Sequence, residues 1–248
     1  MSEPVESSIP AAGLSEVERV VDTFVAPSKT FTDILRSATW WLPFVLMVIM
    51  TLGVTVTIDK QVGFARVAEN QIHQSPKQED QLNSLTPEQR DARLRGISVG
   101  YRYSSYASFV FILIFVAIAS LLYLGTFNFV LGAQTTYKQM FAVWMYASLP
   151  KLIIGLLTIA TLIFGADAEA FDMRNAVGTN PAYYMPDAGP AIKAFLSFID
   201  IISLWQLGLL VIGTAIVARV SRGKAAAVVV GWWLFGLVVS VGIALATG

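Results

Sequence analysis

Two ionisable side chains stand where ionisable side chains are costly. Lys151 lies inside the apolar run 141–164, and Asp200 lies inside the run 195–217. A charge at such depth normally faces protein, water or an opposite charge. A lysine and a carboxylate on consecutive spans could therefore form a polar seam for an ion or a polar solute. The competing reading is that Lys151 snorkels and Asp200 sits near a helix end. Pro150 directly precedes Lys151, which frees a carbonyl one turn earlier and bends the helix. Consecutive spans run antiparallel, so Asp200 is expected nearer the surface, with Lys151 a turn or two deeper.

Little else in the chain could do chemistry. His73 is the only histidine, and it sits in a polar stretch with Gln71, Gln74 and Ser75. With no cysteine in the chain, it cannot complete a typical zinc site, and disulfides and thiolate nucleophiles are excluded. No GxGxxG, Walker-type, GxSxG or HExxH pattern occurs. Glu79-Asp80 is balanced by Lys77 and reads as a solvated face. The acids Asp167, Glu169 and Asp172 match no calcium-loop spacing. The expectation is no catalytic residue, no cofactor and no metal, hence no enzyme.

The residues that could matter must be held by apolar helices. Of the 248 residues 55% are hydrophobic and only 14% are charged, against about 25% charged in a soluble domain. Five apolar runs approach or exceed the roughly 20 residues that cross a hydrocarbon core: 39–58, 106–131, 141–164, 195–217 and 225–246. They are apolar on every face, so helices rather than barrel strands are expected. The fold class is all-α: a polytopic bundle of about five transmembrane helices. Trp40, Trp41, Trp144 and Trp205 lie near run ends, as headgroup-level rings do, while Trp232 and Trp233 lie deeper and suit packing.

Outside the runs, Ser15 and Glu18 form a capping box that starts an amphipathic helix with Val17, Val20, Val21 and Phe24 as its stripe. Pro27 ends it, and Phe31, Ile34 and Leu35 form a second short stripe. Both helices lie on the membrane surface or pack on the protein itself. Residues 1–14 are expected to be a disordered tail, without a signal peptide or myristoylation motif, ahead of one membrane domain over 15–248. In the first loop, Thr86-Pro87-Glu88-Gln89 starts a helix running into the second span. Val62, Phe64, Val67 and Ile72 suggest a helix leaving the first span, so a helical hairpin outside the membrane is expected. The loop from Gly165 to Ala194 reads as irregular. In the fifth span Gly236, Ser240 and Ala244 recur every fourth residue as a ridge for close helix packing, internal or between copies.

Zero net charge gives the chain as a whole no pull on nucleic acid. The fourth loop packs Arg219, Arg222 and Lys224 without an acid, which favours that loop and the N-terminus facing the cytoplasm; Arg95 and Arg102 beside the second span argue the other way.

Several segments together carry a family resemblance. Phe24-Val25-Ala26-Pro27-Ser28-Lys29-Thr30-Phe31 is followed by Trp40-Trp41-Leu42-Pro43-Phe44. The third span opens with Phe141-Ala142-Val143-Trp144-Met145-Tyr146-Ala147-Ser148-Leu149-Pro150. The fourth reads Asp200-Ile201-Ile202-Ser203-Leu204-Trp205, then Gly213, and closes on Arg219-Val220-Ser221-Arg222-Gly223-Lys224-Ala225. This order resembles the bacterial branch of the Yip-type (Ypt/Rab-interacting protein) membrane domain, from about Val17 onward. The resemblance implies five helices in a bacterial plasma (inner) membrane, a cytoplasmic N-terminus, a C-terminus on the far side and no catalytic residues. Eukaryotic relatives associate with prenylated small GTPases; the long first loop departs from those relatives and sets that partnership aside here. Two functions follow. One is a non-enzymatic scaffold or membrane organiser of trafficking type, whose partners are the bilayer and a membrane protein or a second copy. The alternative is a small transporter or permeation pathway built on Lys151 and Asp200.

Overall fold

Local signals decide where the helices begin. In the computed structural model, which describes residues 13–247 apart from 74, 166, 167 and 170, the Ser15 hydroxyl accepts from the Glu18 N–H at 3.2 Å. The Glu18 carboxylate accepts from the Ser15 N–H at 2.7 Å. This box opens α1 (Glu16–Val25), and Pro27 opens α2 (Pro27–Ile34) at the position where its missing N–H costs nothing. The tail expected over 1–14 lies outside the described residues up to residue 12.

The first span is α3 (Trp41–Gln61), and Gly63, at φ +80°, turns the chain into α4 (Phe64–His73). Next come α5 (Pro76–Asn83) and α6 (Pro87–Tyr106), the latter opened by the Thr86/Gln89 box. The second span is α7 (Ser108–Gly125), extended by one π turn at Thr126–Val130. The third span is broken. A capping box that the sequence reading passed over, Thr136 with Gln139, opens α8 (Tyr137–Ala147), and a turn at 148–150 leads into α9 (Lys151–Phe164). The fourth run is also not one helix. It consists of α10 (Pro190–Phe198) and α11 (Ile201–Val217), bent 48° at the junction. The last span is α12 (Arg222–Thr247).

Among the described residues, four segments are therefore long and apolar enough to span a bilayer, and five if the bent pair counts as one. All regular elements among the described residues are helical.

Packing departs from chain order: the first span α3 lies along α9, and α2 lies along α11. The third span's first half, α8, is buried along its whole length from Met140 to Ala147. It is enclosed by α7, α11, α1 and α2. Gly213 on α11 lets α2 approach: an added Cβ there would meet Val143 at 2.7 Å and Phe31 at 3.0 Å. Trp144, expected at headgroup level, is instead a core residue, edge-on to Tyr123 at 5.2 Å and to Phe115 at 5.8 Å. Its neighbours on the fully enclosed α8 leave no headgroup for it to meet.

At the other end, α4 packs on α6, and the loop after α9 folds onto α4. Asn70 donates to the Ala168 and Phe171 carbonyls, Gln71 donates to Asp172 at 2.9 Å, and Arg66 pairs with Glu169 at 2.8 Å. Phe171 is buried with Ile58, Phe64, Val67 and Leu162. The expected hairpin outside the spans is present, and Glu169 and Asp172 are engaged in binding it to the third loop; Asp167 lies outside the described residues.

Candidate functional site

Asp200 owes its position to helix geometry. It is the N-cap of α11: its carboxylate accepts from the Ser203 N–H at 2.8 Å and from the Thr179 hydroxyl. A capping carboxylate satisfies N–H groups that a helix start leaves open. It is 6% exposed, and the cap accounts for the break in the fourth run. Lys151 opens α9 and shares a helix face with Thr158 and Leu162, which are buried, while Lys151 itself is exposed.

A hydrogen bond fixes the register of these helices. Gln206 on α11 donates to the Ser148 hydroxyl at 2.9 Å, and both residues are buried. Lys151 is three residues outward from Ser148, and Asp200 is six residues outward from Gln206. At about 1.5 Å per residue, Asp200 lies roughly 4–5 Å nearer the surface than Lys151. No ion pair joins Lys151 and Asp200 among the described residues.

A stronger polar assembly sits where the sequence showed an apolar stripe. Arg19 on α1 is 1% exposed. Its Nε donates to Asp33 at 2.7 Å, its Nη2 lies 2.5 Å from the same carboxylate, and Nη1 donates to Thr39. Thr39 in turn donates to Glu16, and the other Glu16 oxygen accepts from the Tyr146 hydroxyl at 2.8 Å. The Arg19 carbonyl accepts from both Thr23 and Thr30. This clamp ties α1, α2, the start of α3 and α8 into one unit.

The clamp also corrects the reading of α1. Its buried face is Arg19 and Thr23, with Val20 and Phe24 half-buried, and Phe24 is edge-on to Trp205 at 5.7 Å. Val17, Val21 and Val25 point outward, at 65%, 53% and 74% exposure. An amphipathic helix in water turns its charges outward. This helix turns Arg19 and Glu16 onto the protein and Val17, Val21 and Val25 away, which suits a surrounding that accepts apolar side chains.

The fourth loop is built with a local penalty. Val220 N–H donates to the Ala215 carbonyl at 3.1 Å and Arg219 N–H to Ile216 at 3.2 Å, a Schellman ending. The residue at its left-handed position is normally glycine, but here it is Arg219, at φ 53°. A side chain in that conformation costs roughly 1–2 kcal/mol. Arg222 and Lys224 follow on the first turn of α12, and Ser221 caps it through the Lys224 N–H.

On α12, Gly236, Ser240 and Ala244 are half-buried along one face. Gly236 lies under Phe198 of α10, where a Cβ would come within 3.3 Å of the ring. Trp233 lies tilted against the same Phe198, with ring centroids 5.5 Å apart. Trp232 donates to Thr126 in the π turn at 3.0 Å, so both tryptophans pack against protein. The opposite face, with Phe235, Val238 and Leu245, is exposed. His73 lies at 2.8 Å from Glu79 on the exposed α4–α5 junction.

Two surface cavities lie away from the Lys151–Asp200 seam. One is walled by Leu35, the turn after Leu131 and the fourth loop; the other lies between α4 and the α5–α6 turn.

Residues 21–243 match the family model of the Yip1 domain. No curated protein and no solved structure matches the chain.

Proposed function

Because the chain belongs to the Yip1 domain family, and carries four to five helices able to span a bilayer, we propose that it is a non-enzymatic membrane scaffold. The spans anchor it in the bilayer. The clamped α1–α2 unit is the part that meets a partner, a membrane protein or a second copy. The supporting observation is the orientation of α1: Glu16 and Arg19 are held internally by the clamp, which leaves Val17, Val21 and Val25 facing outward beside the capping Glu18 and held rigidly in place. A rigid, pre-ordered face loses little entropy on association. We further propose that residues 15–248 act as one domain, and that the N-terminus lies on the cytoplasmic side of a bacterial inner membrane, with the basic fourth loop beside it. A GTPase partner finds no support in the long first loop.

A photo-crosslinking side chain at Val21, compared with one at Thr23, tests the scaffold reading in native membranes. Discrete protein adducts at Val21 and none at buried Thr23 support it. Lipid adducts alone at Val21 contradict it.

A second reading is favoured by one observation. The fourth run is broken at an acid cap, with Lys151 exposed about a turn deeper. Broken helices with ionisable groups at membrane depth line solute pathways in transporters. Water access to residue 151 separates the two readings.

A further inference from the structure

We propose that the cavity walled by Arg219, Ser221, Lys224, Gln134 and Gln139 holds the phosphate of an anionic phospholipid. This proposal does not rest on the scaffold reading. The cavity has a volume of about 570 Å³, within the usual range for a small-ligand site. Every side chain on its wall is cationic, neutral-polar or apolar; no carboxylate lines it. Neither Arg219 nor Lys224 makes an ion pair among the described residues. The two cations therefore converge on a space with no internal counter-charge, and a phosphate oxyanion is the group that a guanidinium and an ammonium recognise best.

The backbone points the same way. The Schellman ending of α11 needs a left-handed residue where glycine would be easier, and here that residue is Arg219, which places a guanidinium on the cavity wall at a conformational cost. The neutral donors also fit: Gln139 uses its carbonyl oxygen to cap α8, and its amide can turn to an anion.

The depth of the cavity selects a lipid over a soluble phosphate. It opens where the spans α7, α8, α11 and α12 all end, which is the headgroup level of any bilayer that they cross. Phe129 and Val130 directly precede its wall residue Leu131 and are 91% and 74% exposed. They offer an apolar path for acyl chains from the rim of a polar pocket.

The test uses the purified full-length protein in neutral detergent, with bound lipid counted by native mass spectrometry. Phosphatidylglycerol is titrated against phosphatidylcholine and against inorganic phosphate. The expected result is one tightly held phosphatidylglycerol, with binding weakened about tenfold or more in Lys224→Gln and in Arg219→Gly, as loss of a charge-assisted contact implies. Arg219→Gly should melt no lower than the native protein, since it relieves the positive φ. Arg222→Gln, the same charge change one step off the wall, should stay within about twofold. Unchanged binding in Lys224→Gln overturns the proposal. So does equal weakening in Arg222→Gln, which would mean general surface attraction. Inorganic phosphate held as tightly as the lipid overturns the lipid assignment.

Discussion

Replacing Arg19 by methionine removes the centre of the N-terminal clamp while keeping much of its volume. The variant leaves the Asp33 carboxylate, 10% exposed, to the more exposed Arg36 alone, and deprives Thr39 and Glu16 of their shared donor. Removing one partner of a buried ion pair costs about 3–5 kcal/mol when the remaining charge is left without compensation; Arg36 still meets Asp33, so the lower end, about 3 kcal/mol, applies. For a chain of this size each kcal/mol moves the melting temperature by about 2–4 °C, so a fall of roughly 6–12 °C is expected. Adding Asp33→Leu should restore most of that loss, since an apolar pair of similar size is close to neutral in place of a buried ion pair. The assay is thermal unfolding in detergent, with limited proteolysis between residues 13 and 40 as a second readout: a freed α1–α2 unit becomes cleavable well below the global transition. A fall under about 2 °C for Arg19→Met, or a double variant weaker than the single, would refute the account of the clamp.

Three further outcomes are expected. Lys151→Met and Asp200→Asn should couple in a double-mutant cycle of thermal stability, because asparagine keeps the cap of α11 and removes only the charge; additive effects would show that the two residues act separately. Acid should loosen the α1–α2 unit. Burial pushes the Asp33 carboxyl up, but hydrogen bonds and charges from Arg36 and Arg19 outweigh it and hold it below the ordinary carboxylate value. Its stabilisation is thus present above about pH 4 and lost as pH falls through the depressed value, so Asp33→Asn should flatten the acid limb of a stability profile; an unchanged limb would contradict this. Ser240→Leu and Gly236→Leu should both destabilise the contact of α12 with α10, the second more, since a Cβ at Gly236 already crowds Phe198; melting temperatures equal to the native one would count against close packing there.

The spans were legible because length and apolarity alone define them, and every expected run holds a helix in the structure. Their breaks were less legible. Residues 195–217 read as one apolar run, and only the carboxylate at Asp200 marked the point where a new helix is capped. The turn at 148–150 was signalled by Pro150, but the capping box at Thr136 and Gln139 hid inside a short loop. The largest miss was Arg19. Helical periodicity grouped Val17, Val20, Val21 and Phe24 into one stripe and left open whether it faced the membrane or the protein; the structure splits it, with Val20 and Phe24 half-buried and Val17 and Val21 outward. Here the outside competes for apolar side chains, and a buried arginine becomes affordable once Asp33, Glu16 and Thr39 surround it. Those partners come from three segments, so no local pattern announced them; the i, i+3 spacing of Glu16 and Arg19 was the one available signal. The seam of Lys151 and Asp200 was legible as two residues, but the Gln206–Ser148 bond that sets their register was not.

Water access at residue 151 tests the scaffold reading most directly. The chain has no cysteine, so single cysteines can be introduced without background. Gly223→Cys, Gln78→Cys and Lys151→Cys, each in sealed proteoliposomes, would be treated with a membrane-impermeant thiol reagent from one side and then from both. The account predicts labelling of Gly223→Cys and Gln78→Cys from opposite sides, and no labelling of Lys151→Cys until detergent is added. Labelling of Lys151→Cys in the intact membrane would contradict it and establish a water-filled path at the break in the third span.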